Sequence, residues 1–178
     1  MATIYTYKDA NIRKTWFLMA TFFIGIIALG WFFGYALEEP AILYFAVALA
    51  LILNVAGYWW SDKIVVAMTR AKPADPAEFR ELHRLVENLA ITAGLPKPKV
   101  FTVSDPAPNA FATGRNSEHA IVAVTTGLLD VLERPELEGV IAHELSHVGN
   151  RDMLVSTVAV VLAGFVAILS DIFLRMTI

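Results

Sequence analysis

The chain divides into uncharged hydrophobic runs and one central stretch in which apolar and polar residues alternate. Residues 15–37 and 40–61 carry no charge, and only Glu38 and Glu39 separate them. A helix needs about 20 apolar residues to cross the hydrocarbon core of a bilayer. The two runs therefore predict an N-terminal transmembrane helical hairpin, which occupies residues 1–61.

Aromatic and basic residues orient this hairpin. Six aromatic residues lie near the ends of the two runs, where their rings favour the headgroup level: Trp16, Trp31, Tyr35, Tyr58, Trp59 and Trp60. Lysine and arginine lie on both flanks of the hairpin, whereas the connecting turn carries only acids. By the positive-inside rule, both flanks are expected in the cytoplasm.

A third uncharged run, residues 153–170, follows the central stretch and precedes a short tail, residues 171–178. With about 18 residues the run is at the lower limit for a transmembrane helix. Two interpretations stay open: the helix crosses the bilayer, or it lies partly buried against the other helices.

The central stretch, residues 62–152, holds most of the charge and most of the prolines and is predicted to be a cytoplasmic domain. Apolar residues at three- and four-residue spacing predict a helix that begins near Asp75–Pro76 and ends at Gly94. Three strands are predicted at residues 100–103, 109–113 and 120–124, the last two paired as a hairpin. Thr125 or Thr126 is expected to cap a short helix through Leu132, and Pro135 to open the next helix.

Composition narrows the chemistry that this domain can perform. The 178 residues include no cysteine, carry a formal net charge of −3 and contain 17% charged residues. A disulfide scaffold, a thiolate metal site and a cysteine nucleophile are therefore excluded. Nucleic acid is not an expected partner, because the chain lacks a concentrated basic face.

The helix opened by Pro135 contains the pattern HExxH, formed by His143, Glu144 and His147. Residues four apart lie on one face of a helix, about one turn from each other, so both imidazoles can bind a single Zn²⁺. Glu144 is then placed to take a proton from a metal-held water as the general base. An ordinary helix with solvent-facing polar residues is the alternative interpretation.

The chain resembles a known family in several segments: the hairpin, AGLPKPKVF at residues 93–101, NAFATG at 109–114, VAVTTGLL at 122–129 and VIAHELSHVGNRDM at 140–153. Their order and spacing are similar to those of the HtpX-type membrane zinc metalloproteases, gluzincins related to the CAAX prenyl proteases. The resemblance implies an α+β membrane protein with a small zincin-like α/β domain. It also implies a multi-pass endopeptidase of the cytoplasmic membrane that cleaves unfolded or damaged membrane proteins in quality control and stress response.

Carried over to this sequence, the resemblance assigns His143 and His147 as zinc ligands and Glu144 as the catalytic base. Asn109, Ala110 and Phe111 are similar to the family's edge strand beside the active-site helix, to which an extended substrate adds by β-augmentation. A purely structural strand is the alternative. Asp152 either orients a ligand imidazole or is a polar stop before the third run.

Two ligands are fewer than the three protein ligands of a typical catalytic zinc site. The family supplies the third from a downstream glutamate, so the chain is expected to be an N-terminal portion that binds its one zinc weakly. Asp105, Glu118 and Asp171 are candidate substitutes. Two other functions stay open: a non-catalytic membrane scaffold that lacks the third ligand, and a CAAX-type prenyl-protein protease. The sequence does not indicate an oligomeric state.

Overall fold

The N-terminal hairpin is present in a computed structural model of the protein, which describes residues 4–177. Residues 1–3, at the start of the predicted hairpin domain, lie outside the described residues, and so does residue 178 at the end of the predicted tail. Helix α1 (Ile4–Ala36) and helix α2 (Ala41–Trp59) pack antiparallel, and a turn at Glu38 joins them. Within the described residues, both helices are long and apolar enough to cross a membrane, as the two predicted spans require.

A short helix that the sequence did not predict follows the hairpin. The apolar run reaches Ser61, but α2 ends at Trp59 and helix α3 (Ser61–Thr69) begins after a break at Trp60. Arg70 ends α3 in the left-handed conformation, with φ of 54°. The chain therefore leaves the hairpin through a bend, which brings it to the edge of the sheet.

The central domain is built on a four-stranded mixed sheet in the order β1-β2-β4-β3. Its strands are β1 (Lys72–Pro73), β2 (Lys99–Val103), β3 (Ala110–Thr113) and β4 (Ile121–Thr125). The predicted hairpin is confirmed: β3 and β4 are antiparallel, with Phe111 opposite Ala123. Strand β4 also pairs parallel with β2 and is buried along its whole length, so it forms the centre of the core.

Helix α4 (Arg80–Thr92) begins later than the predicted Asp75–Pro76 start. The Asp75 carboxylate accepts the Ala77 N–H at 2.7 Å and its carbonyl accepts the Phe79 N–H at 2.8 Å, which closes a separate turn before the helix. The helix ends as predicted, with Gly94 at a φ of 66°. Its buried face packs against the sheet and the active-site helix.

The helices after the sheet begin where the sequence predicts. The Thr125 side chain caps helix α5 (Thr126–Val131), and Pro135 lies in the first turn of helix α6 (Arg134–Asn150). Buried Ile141, Leu145 and Val148 anchor α6 to the core, so its other face, which includes His143, is left exposed.

Helix α7 (Asp152–Thr177) carries the third hydrophobic run. Arg151, at a φ of 56°, separates it from α6, and the two helices meet at 87°. Its crossing of the bilayer stays a prediction. The predicted fold class is confirmed, since two candidate membrane-spanning helices precede a small helix-and-sheet domain that contains the HExxH helix and the β-hairpin.

Candidate active site

His143 and His147 lie one turn apart on α6 and direct their rings at the same point. Their Nε2 atoms are 3.2 Å apart. Two nitrogen ligands about 2.0–2.1 Å from one tetrahedral zinc ion are about 3.3–3.4 Å apart, so this spacing fits a shared metal ion. Within the described residues, the two imidazoles and Glu144 form the only group of three whose ligand atoms could hold a metal.

Asp152 lies within hydrogen-bond distance of one of these rings. Its Oδ2 lies 2.9 Å from His147 Nδ1, across the bend between α6 and α7. A carboxylate accepts the Nδ1 proton, which leaves the Nε2 lone pair of His147 toward His143. The second oxygen of Asp152 is buried without a hydrogen-bond partner in the part of the chain that the structure describes.

Glu144 is half-buried between the helix and the outer strand β3. Its Oε2 accepts the backbone N–H of Ala112 at 2.9 Å. This hydrogen bond holds the carboxylate beside the two imidazoles, where a general base for a metal-held water is needed. It also links the active-site helix directly to the edge of the sheet.

Asn109, Ala110 and Phe111, which are predicted to bind substrate, differ in whether their backbone N–H and carbonyl groups bond to β4 or point away from it. Asn109 is paired inward, since its N–H donates to Thr125 Oγ1 at 2.8 Å and its carbonyl accepts the Thr125 N–H at 2.9 Å. In an antiparallel ladder the residues alternate between bonded and outward-facing pairs. Ala110 and Ala112 therefore turn their amide groups away from β4 and toward α6. Phe111 pairs with β4, and its ring packs near Ala123 on the other face of the sheet.

Sequence reasoning missed Ala112 as a site residue. In the strand NAFAT, the backbone groups of Ala110 and Ala112 point to the same side. Whether that side faces β4 or the outer edge depends on the pairing register with β4. The inward pairing of Asn109 with Thr125 fixes that register, and it is visible only in the folded chain.

None of the three substitute ligands reaches the two imidazoles in the described structure. Asp105 accepts the Ala107 N–H at 2.8 Å in the loop before β3, and Glu118 is exposed in the β3–β4 connection. Asp171 pairs with Arg175 at 2.8 Å on α7, several turns beyond Asp152. Within residues 4–177, the structure therefore offers two histidine ligands at this point.

A further contact that the sequence did not predict connects the first span to this site. Buried Asn11 of α1 donates its side-chain N–H to the carbonyl of Asn150 at 3.1 Å, in the last turn of α6. Carbonyls at the end of a helix have no partner within the helix, so Asn11 supplies one. The end of the active-site helix next to Asp152 is thus fixed to the membrane hairpin.

Comparison with known proteins agrees with this geometry. The model of Peptidase family M48 matches residues 76–177. A protein named Protease HtpX homolog from Caldanaerobacter subterraneus is 45% identical over 97% of this chain, and one from Pyrococcus furiosus is 52% identical over 76% of it. The chain spans 58% and 47% of the lengths of these two relatives. The family match includes strands β2 to β4, the HExxH helix and the whole of α7, and on this ground the chain belongs to Peptidase family M48.

Proposed function

We propose that the chain carries the HExxH part of a zinc-dependent endopeptidase anchored in the cytoplasmic membrane. The observation that carries the proposal is the convergence of His143, His147 and Glu144 beside the edge of strand β3. The names of the relatives support proteolysis as the activity of the complete protein.

His143 and His147 would hold one Zn²⁺ through their Nε2 atoms, and a third protein ligand would come from outside residues 1–178. When bound, zinc lowers the pKa of a coordinated water and polarises a carbonyl oxygen. Asp152 keeps the His147 ring in the tautomer that presents Nε2, by accepting its Nδ1 proton.

Glu144 acts as the proton carrier of this site. Its carboxylate accepts the proton of the attacking water at an Oε atom and then delivers it to the leaving amine of the cleaved peptide. Peptide hydrolysis is thereby balanced, because water adds across the C–N bond. The Ala112 N–H keeps the carboxylate directed at the cleft before substrate arrives.

Strand β3 supplies the binding surface for an extended substrate. The outward N–H and carbonyl of Ala110 and the outward carbonyl of Ala112 can pair with a peptide backbone, which adds to the sheet as a further strand. Such pairing is almost independent of side chains, and this suits a protease that removes unfolded or damaged membrane proteins. The substrate would lie along α6, within reach of Glu144.

The hairpin places this chemistry beside the lipid bilayer. Basic residues flank both ends of the hairpin, so the catalytic domain is expected on the cytoplasmic side. If α7 crosses as well, the site lies at the membrane surface, since α7 begins five residues after His147.

The decisive experiment compares Glu144→Gln with the unchanged protein, in a chain extended to the length of the relatives. The expected result is retained binding of one zinc per chain and loss of cleavage of an unfolded membrane protein. Zinc is measured by metal analysis, with His143→Ala as the variant that loses it.

Three results would contradict the proposal. Unchanged cleavage by Glu144→Gln would rule out the proposed base, and absence of both zinc and cleavage in the unchanged protein would favour a membrane scaffold. Preferential cleavage of a prenylated peptide would favour the CAAX-type activity instead.

A further inference from the structure

A cavity of about 500 Å³ lies where the second span meets the central domain, and no residue of the HExxH helix lines it. The C-terminal end of α2, the start of α3 and the β3–β4 connection enclose it. Aromatic and basic side chains make up most of its lining, together with one aliphatic and one acidic residue: Trp59, Trp60, Lys63, Arg115, His119, Val55 and Asp62. Pockets of this size typically bind small molecules.

Arg115 is held in one orientation within this cavity. Its guanidinium lies over the Trp59 ring, 4.8 Å from the centroid, and its Nη2 donates to His119 Nε2 at 3.0 Å. The Nδ1–H of His119 in turn donates to Asn116 Oδ1 at 2.7 Å. Gly114, at a φ of 139°, permits the close return of the loop against His119. A guanidinium fixed in this way loses little rotamer freedom when it binds an anion.

Among the described residues, Arg115 has no carboxylate partner. In the described part of the chain, no carboxylate oxygen lies within 4.0 Å of Arg115 or Lys63, and Asp62 is the one acid on the cavity wall. An adjoining groove on the same side of the domain adds three more basic residues: Arg70, Lys72 and Lys99. The surface next to the second span therefore favours an anion.

An apolar groove continues from this cavity down the hairpin. It has a volume of about 580 Å³ and shares Val55 and Trp59 with the basic cavity. Its other walls come from one face of α1 and α2, including exposed Trp16 and Leu51. The basic cavity at the end of α2 and the apolar groove along α1 and α2 thus form one continuous amphipathic site.

We propose that this site binds an anionic phospholipid. The phosphate group accepts hydrogen bonds from Arg115 and lies near Lys63, and one acyl chain occupies the groove past Val55. Tryptophan at the end of a span places the cavity at headgroup level, and a guanidinium binds phosphate through two parallel N–H donors. Basic pockets next to membrane helices recognise anionic headgroups in this way. The HExxH site is not part of this lipid proposal. A negative lipid-binding result would therefore leave the proposed peptidase function untouched.

Native mass spectrometry of the detergent-solubilised chain tests the proposal by titration with phosphatidylglycerol and with phosphatidylcholine of the same acyl chains. The chain is expected to bind phosphatidylglycerol about tenfold more tightly, and Arg115→Gln to remove most of this preference. Arg115→Lys keeps the charge but loses the two-donor geometry, so an intermediate preference is expected. Thermal unfolding in phosphatidylcholine micelles shows that each variant is folded.

Arg84→Gln is the matched control, because Arg84 is an exposed arginine of α4 outside the cavity. It is expected to leave the preference unchanged, and an equal loss in this variant would overturn the proposal in favour of diffuse charge attraction. Inorganic phosphate is the second probe, and it should not displace phosphatidylglycerol because it has no acyl chain. Displacement at equal concentration, or equal binding of the two lipids, would overturn the assignment of a phospholipid.

Discussion

The backbone N–H of Ala112 donates to the Glu144 carboxylate at 2.9 Å, so the edge strand and the HExxH helix are joined through the residue expected to act as base. A hydrogen bond to a charged acceptor contributes about 1.5–3 kcal/mol. The same N–H lies on the edge at which an extended peptide would add. The residue that positions the expected base therefore lies on the strand edge where we propose that substrate binds.

Replacement of Ala112 by proline removes that N–H and tests its importance. Proline is tolerated at outward-facing positions of an edge strand, so the fold should persist. We expect kcat/KM of the complete protease to fall about tenfold to a hundredfold, and the unfolding temperature to fall by no more than the loss of this one hydrogen bond requires. Phe111→Pro is the control, since Phe111 pairs with β4 and its variant should lose stability instead. Equal activity in Ala112→Pro and the unchanged protein would show that the N–H has no such role.

Asp152→Asn is predicted to weaken zinc binding. Removal of the carboxylate takes away the partner that fixes the His147 tautomer, and loss of such a partner typically weakens metal affinity by about 10- to 100-fold. Competition with a chromophoric chelator measures the zinc dissociation constant in the 178-residue chain. Asp130→Asn, an exposed position on α5, should leave the constant unchanged. An unchanged zinc dissociation constant in Asp152→Asn would show that Asp152 serves only as a polar residue before the third hydrophobic run.

Gly30→Val is predicted to destabilise the membrane hairpin. A Cβ at Gly30 would overlap the Ala46 side chain, so the two helices would have to separate. Small residues allow the close approach on which packing of membrane helices depends, and overpacking typically costs about 1–3 kcal/mol. Thermal unfolding in detergent measures the effect. Gly25→Val on the same helix is the control because a Cβ at Gly25 would meet no atom within 4 Å, and equal destabilisation by both variants would refute the close approach.

Lys97→Met is predicted to change the titration of Glu87. The Lys97 ammonium donates to Glu87 Oε2 at 2.7 Å, and this hydrogen bond together with the lysine charge lowers the pKa of Glu87. Because the pKa is lower in the folded protein, the contact stabilises the fold at neutral pH and the contribution disappears as pH falls through the Glu87 pKa.

NMR titration of the Glu87 side chain checks this prediction. The pKa should rise in Lys97→Met and stay in place in Lys99→Met, which removes a neighbouring lysine that contacts no carboxylate among the described residues. An unchanged Glu87 pKa in Lys97→Met would show that the contact is too exposed to influence titration.

Local patterns predicted those features that depend on residues close in sequence. Helical spacing alone places His143 and His147 on one face, and Thr125 and Pro135 mark helix starts through backbone chemistry near their own positions. The two spans follow from uninterrupted apolar length. These features need no information about which segments meet in the fold.

Features that depend on distant contacts were not predictable. Asn11 and Asn150 meet across 139 positions, and no local pattern indicates that pairing. The two residues of β1 are too few for a strand period, and α3 is only nine residues long and contains the charged pair Asp62 and Lys63 that ends the apolar run. Asp75 has the residue type of a helix cap, yet it closes a turn because its carbonyl binds the Phe79 N–H.

The two edges of the sheet differ in their exposure to other chains. Strand β1 contributes only Lys72 and Pro73, and a charged residue next to a residue without an N–H is a poor template for another strand. Strand β3 lies at the opposite edge, and helix α6 runs beside it. In a crowded cell, where exposed edges lead to aggregation, we expect this sheet to accept a further strand at the β3 edge alone, and such a strand would enter beside Glu144.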